Sequence, residues 1–170
     1  MTMSQYEQSF RKRLGEFADG LAEDISGLHF LNKEIQEDVF RFLLKLACQS
    51  QGSEALRLGG QGIRALRPPW VLERIEAAAE VVLDLSDEYE YRRLLELAET
   101  LDDDLLKHLV KRGQESDDEE LRETAEEFSE VRPRPRWEAL SPTEELLRAY
   151  GIGAEPVDAK AVQQVGGGIT

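Results

Sequence analysis

A chain of 170 residues with a formal charge of −14 is long enough to bury a core unaided, and too acidic to hold phosphate backbones through clustered Lys and Arg. Its single cysteine, Cys48, excludes an intramolecular disulfide and, with no apolar targeting segment near Met1, points to a cytoplasmic location. Nothing in it approaches the run of about 18 apolar residues that a membrane span requires.

The first helix signal is a capping box, Ser4 with Glu7, ahead of an apolar stripe at Tyr6, Phe10, Leu14, Phe17 and Leu21. Arg11, Lys12 and Arg13 form a basic run in the same helix, offset by Glu16, Asp19 and Glu23, which argues against a lipid-facing role. Ser26-Gly27 breaks the chain, and Asn32 caps a second helix bearing Ile35, Val39, Phe40, Phe42, Leu43, Leu44, Leu46 and Ala47. That apolar face is too broad for a surface helix, so this is expected to be the central helix, buried on more than one side. His29 and Cys48 flank it, but a tetrahedral zinc needs three or four protein ligands, so they read as a loop histidine and a packed thiol.

Gly59-Gly60-Gln61-Gly62 lacks the G-K-[ST] of a phosphate loop and sits among Leu56, Leu58, Ile63 and Leu66. It reads as a weak helix whose glycines admit a neighbouring helix. Arg67-Pro68-Pro69 ends that element and starts the next, which carries Trp70 as a junction anchor and then Val71, Leu72, Ile75, Ala78, Ala79 and Val82.

An internal repeat follows. Ser86 to Leu95 and Ser116 to Ala125 both begin S-D-x-x-E-Φ-R, with Φ apolar or aromatic, and start 30 residues apart. Ser86 and Ser116 are the expected caps, and the acids behind them complement the positive end of the helix dipole. Between the copies runs a helix opened by Asp102 and expected to stop at Gly113. Helix pairs recurring at such a period are what stacked repeat proteins show. The run D-x-x-E-Φ-R-x-x-A over Asp117 to Ala125 resembles the first helix of a short HEAT repeat, as in bacterial HEAT-like adaptors. The resemblance covers Ser86 to Phe128, and no third copy stands upstream. It implies a helical stack that binds another protein; two similar amphipathic helices in a non-repeat bundle remain the alternative.

Residues 101 to 130 hold 12 acids against 4 bases, a net −8 that supplies most of the excess charge. Beyond Glu130 the chain alternates Arg132, Arg134 and Arg136 with Pro133 and Pro135 and reaches Trp137, which favours an extended strap. The strap either folds back on the acidic face or is offered to an outside partner. Ser141-Pro142-Thr143-Glu144 signals a short helix that ends at Gly151. In the last segment Val157, Val162 and Val165 precede Gly167-Gly168 at offsets that resemble the double-glycine leader of bacteriocin-like precursors. Ala161 replaces the usual acid there, and cleavage would release Ile169 and Thr170. The alternative is a flexible tail or a short docking peptide.

The fold expected is all-α, with seven or eight helices in antiparallel pairs over 5–49, 53–84, 87–112 and 117–150. They form a HEAT-like stack or an irregular bundle, with an extended C-terminal tail. A helical domain spans 1–130, a strap and docking helix 131–150, and a Gly-rich tail 151–170. No nucleophile stands with a plausible base, and Asp102-Asp103-Asp104 is explained by capping rather than metal binding. The chain is therefore read as noncatalytic and without a cofactor. The function expected is an adaptor or assembly factor, with Asp117, Asp118, Glu119, Glu120, Arg132, Arg134, Arg136 and Trp137 as candidate partner-binding residues. The alternatives are an acidic inhibitor or immunity protein for a basic toxin or nuclease, and a tail-directed cargo or peptide precursor.

Overall fold

The computed structural model describes residues 3–130. Among these it has no strand and eight α-helices: α1 Gln5–Phe17, α2 Lys33–Gln49, α3 Ser53–Arg64, α4 Pro68–Leu72, α5 Ile75–Val82, α6 Glu88–Leu101, α7 Asp103–Gln114 and α8 Glu119–Ser129. A 3₁₀ helix, Ile25–Phe30, lies between α1 and α2. The all-α expectation holds. The apolar stripe from Val71 to Val82 is divided at Glu73 and Arg74, where the Arg74 N–H donates to the Val71 carbonyl three residues back and closes a tight turn.

Short polar side chains set the helix starts. Ser4 accepts from the Glu7 N–H at 3.1 Å and Asn32 from the Ile35 N–H at 3.0 Å, as the sequence indicates. The repeat is capped differently from expectation. Asp87, not Ser86, accepts from the Glu90 N–H, and Asp118, not Ser116, accepts from the N–H groups of Glu120 and Leu121. A carboxylate makes a charge-assisted bond to the helix N-terminus, and the serines instead brace the preceding turns: Ser86 donates to Asp84, and Ser116 Oγ accepts from the Asp118 N–H. The caps thus fall out of phase between the copies, while the buried faces stay in phase, with Tyr91, Leu94 and Leu95 matching Leu121, Thr124 and Ala125.

Asp102 closes α6 and opens α7 at one residue: its N–H donates to the Ala98 carbonyl and its carboxylate accepts from Asp104 and Leu105. Gly113 does not stop α7. It lies inside the helix, which runs to Gln114, and has no positive φ. Its role is space: a Cβ there would collide with the Tyr91 hydroxyl and stand 2.8 Å from the Ala125 Cβ. Tyr91 Oη uses that gap to donate to the Leu109 carbonyl at 2.9 Å. So α6, α7 and α8 pack on one another around a glycine.

The centre of the molecule is α2, as expected. It buries Val39, Phe40, Leu43, Leu44, Ala47 and Cys48 and packs against α3, α6 and α5, with α1 and the 3₁₀ helix at its rim. Its chief neighbour is α3, so the anticipated pairing within 5–49 and within 53–84 gives way to an α2–α3 pair. Around this pair one continuous core runs from Leu14 in α1 to Ala125 in α8. Trp70 anchors the junction, packing edge-on to Phe40 at 5.2 Å and to His29 at 5.4 Å.

The glycines of α3 are what let it lie so close. A Cβ on Gly59 would stand 2.5 Å from the Ala47 nitrogen and 2.8 Å from the Leu43 carbonyl oxygen, and one on Gly62 2.6 Å from Leu43 Cδ2. A Cβ on Gly60 would meet only the end of the Arg64 side chain, at 3.3 Å. Gly59→Ala is therefore expected to destabilise by about 1–3 kcal/mol through overpacking against α2 backbone that has nowhere to move. Gly60→Ala, one residue away, is expected to stabilise by up to about 1 kcal/mol through helix propensity. Urea unfolding of the two variants measures both, and equal effects would refute this account of the close approach.

Candidate interaction site

Two helices, α6 and α8, carry an uneven share of the charge. α6 and α8 are joined by a polar bridge. Thr124, the one buried polar side chain among the described residues, donates to Glu88 at 2.9 Å, and Arg92 spans to Glu127 with contacts of 2.6 and 3.1 Å. Arg92 also bonds Glu88 at 2.7 Å, and the bonds to Glu127 first and Glu88 second raise its pKa. In turn, the Arg92 guanidinium holds the Glu127 carboxyl below its usual range. Glu88 meets Thr124 and Arg92 meets Glu127, so moving four residues along α6 moves three along α8 in the same sense. The two helices therefore bring their C-terminal ends to the same side.

At that end lies a groove lined by Glu96 and Glu99 of α6, by Glu123, Glu126, Glu127 and Phe128 of α8, and by Glu130. Glu123, Glu126, Glu127 and Glu130 follow i, i+3, i+4, i+7 spacing, which puts them on the face of α8 away from buried Leu121, Thr124 and Ala125. No basic side chain lines the groove among the described residues. Glu96 bonds Arg93 at 2.6 Å, Glu126 accepts from Gln114 at 3.2 Å, Glu127 bonds Arg92, and Glu99 too is partnered. Carboxylates at a helix C-terminus oppose the negative end of the dipole, and neither α6 nor α8 has a basic residue in its last turn. By contrast α7, between them in the chain, ends with Lys111 and Arg112. The groove is thus an acidic surface beside an apolar ring.

Of the residues anticipated as a site, Asp117, Asp118, Glu119 and Glu120 are exposed at the opposite, N-terminal end of α8. Asp118 there is used as the cap. Arg132, Arg134, Arg136 and Trp137 lie outside the described residues, as do the helix signalled at Ser141 and the motif of Val157, Val162, Val165, Gly167 and Gly168. Sequence reading missed Glu96 and Glu99. Their signal was an E-x-x-E step at the end of an amphipathic helix with no basic residue in its last turn.

The other chemically capable side chains serve packing. Cys48 is buried, and burial pushes its thiol up to about 12. His108 Nδ1 lies 2.9 Å from Glu76, and Arg112 bonds Glu80, so α7 is tied to α5 by two exposed rungs. His29 Nε2 accepts from the Arg67 N–H at 3.1 Å, fixing the chain where it enters α4. Among the described residues no group of three His, Cys, Asp or Glu is placed to hold a metal, and no helix is long and apolar enough to cross a membrane. No protein-family model matches the chain, and neither a curated protein nor a solved structure matches it.

Desolvation first, then the charges of Arg67 and Arg74, lower the His29 pKa from 6.5. The folded state therefore holds the ring neutral while the unfolded chain takes up the proton first. The contribution is complete above pH 6.5 and is lost as pH falls through the folded value. Thermal melts from about pH 7.5 to pH 5 should show a steeper loss of stability in the wild type than in His29→Gln; parallel curves would contradict the assignment.

Proposed function

We propose that this chain is a noncatalytic protein-binding module, an adaptor or assembly factor, whose helical body receives a basic segment of a partner protein along the acidic C-terminal ends of α6 and α8. The observation that carries the reading is the groove of six glutamates and Phe128, built at two dipole ends that lack any basic residue. Carboxylates gathered at two helix C-termini oppose the negative ends of both dipoles, and a basic segment of a partner would offset that opposition. Phe128, half-buried, offers apolar contact beside the charge, the combination found where binding energy concentrates. Engagement of His29, Cys48 and His108 in packing and ion pairing agrees with a binding role.

A second reading, an inhibitor or immunity protein for a basic toxin or nuclease, draws on the same charge. It differs in predicting a compact basic partner and a footprint that extends to Asp117, Glu119 and Glu120 at the start of α8.

Affinity capture from native lysate separates the two. The full chain is compared with a groove variant, Glu123→Lys/Glu126→Lys/Glu130→Lys, and with an α8-start variant, Asp117→Lys/Glu119→Lys/Glu120→Lys, each checked for helix content. The adaptor reading expects partners retained by the α8-start variant and lost by the groove variant. Loss in both supports the inhibitor reading, and an identical partner set across all three proteins refutes the groove as the binding surface.

A further inference from the structure

α4 starts without a cap of its own. Arg67, its N-cap residue, offers no side-chain bond, and Pro68 and Pro69 carry no N–H. The Arg67 N–H goes instead to another element, donating to His29 Nε2 at 3.1 Å. A backbone amide can only donate, so Nε2 must be an unprotonated acceptor and the ring's proton sits on Nδ1. We infer that His29 is an acid-released clasp: a proton taken up at Nε2 ends the Arg67 contact, drives the ring off the start of α4, and opens Trp70 to solvent while the helical body stays folded. This is independent of the acidic groove, and it goes beyond the stability loss expected of His29 by placing the first change at one junction.

Protonation reverses the sign of the contact. Nε2–H and the Arg67 N–H are both donors, and the imidazolium then stands among positive groups. Those acting on the ring are Arg67, at the start of α4, and Arg74, just beyond its end, the latter bonded to Glu73 at 3.0 Å. From α2 the neighbour is uncharged Gln36, which donates to the His29 carbonyl at 3.4 Å and to the Leu31 carbonyl at 2.8 Å. Among the described residues no carboxylate acts on the ring to receive the charge.

Relief is available outward. His29 is half-buried and its neighbour Phe30 is 83 % exposed, so the ring can swing into water. On the other side Leu28 is fully buried, and the Gln36 bonds hold the backbone of the 3₁₀ helix, which confines the movement to the side chain. Trp70 registers that movement. Its indole packs edge-on to both His29 and Phe40, with the Arg74 guanidinium 4.8 Å over its face. Departure of His29 removes one wall and frees the amide that fixes a helix of only five residues, while Phe40 remains in the core.

The test uses the full chain with Trp137→Phe, which leaves Trp70 as its sole tryptophan. The bimolecular constant for acrylamide quenching, taken from fluorescence lifetimes, is read alongside far-ultraviolet circular dichroism; quenching of indole by the imidazolium itself does not raise that constant. Between about pH 7.5 and pH 5 it is expected to rise about twofold with the helix signal unchanged, and to stay flat once His29→Gln is added. No rise in the parent, or a rise that survives His29→Gln, would overturn the clasp. A rise that comes only with loss of helix signal would overturn local opening in favour of global acid unfolding. Should His29→Gln not fold, NMR of the parent decides: the Arg67 amide and the His29 ring are expected to titrate with a shared midpoint below pH 6.5, and an Arg67 amide indifferent to the ring's titration would refute the clasp.

Discussion

The closeness of α2 and α3 is the constraint on which the rest of the fold depends. α2 has no solvent-facing stripe wide enough to relieve its apolar surface, so it must be covered on several sides. Covering it with ordinary side chains would hold the next helix too far off to bury Leu43 and Leu44 completely, and both are fully buried. Gly59 and Gly62 remove the obstacle at the two points where α3 meets α2 backbone and Leu43. Glycine weakens a helix by about 1 kcal/mol per position relative to alanine, and burial of a leucine returns about 1.5–3 kcal/mol, so the exchange favours the packed pair. The ring of helices around α2 follows from that.

Much of this was readable in the residues. The breadth of the apolar face on α2 marked it as central, the glycine run in α3 marked a close approach, and Trp70 after two prolines marked a junction. Periodicity and punctuation carry such information because each depends on neighbours within one or two turns. What was misread depended on tertiary context. Gly113 has the local signature of a helix stop, but the Tyr91 hydroxyl from another helix decides its role. Ser86 and Ser116 have the signature of caps, yet an adjacent aspartate accepts more strongly and takes the place. Consecutive helices did pair, but as α2 with α3 rather than within 5–49 and within 53–84, a choice of phase that no local rule registers.

The acidic surface shows the same division. Charge excess between residues 101 and 130 was plain, and the start of α8 seemed its natural focus. The folded chain puts that start at one end of a helix and assembles the denser cluster at the other, by laying α6 alongside α8. Arg92 is the rivet of that assembly, with Glu88, Thr124 and Glu127 all within its reach. One guanidinium adds a polar tie to two helices that already share the core. Such a design keeps the pair aligned and gathers carboxylates along its C-terminal rim.

Asp102 has a different consequence. Since this one residue ends α6 with its backbone and begins α7 with its carboxylate, the corner between them contains no spare chain. Each inserted residue advances a helix by about 100° around its axis. A single insertion at this corner would turn Leu105, Leu109 and Val110 out of the interior and bring the charged side of α7 inward. Most surface connections absorb changes in length; this one must keep its length, whereas the turn around Gly20, where φ is +86° and a Cβ would meet nothing within 4 Å, has room to spare.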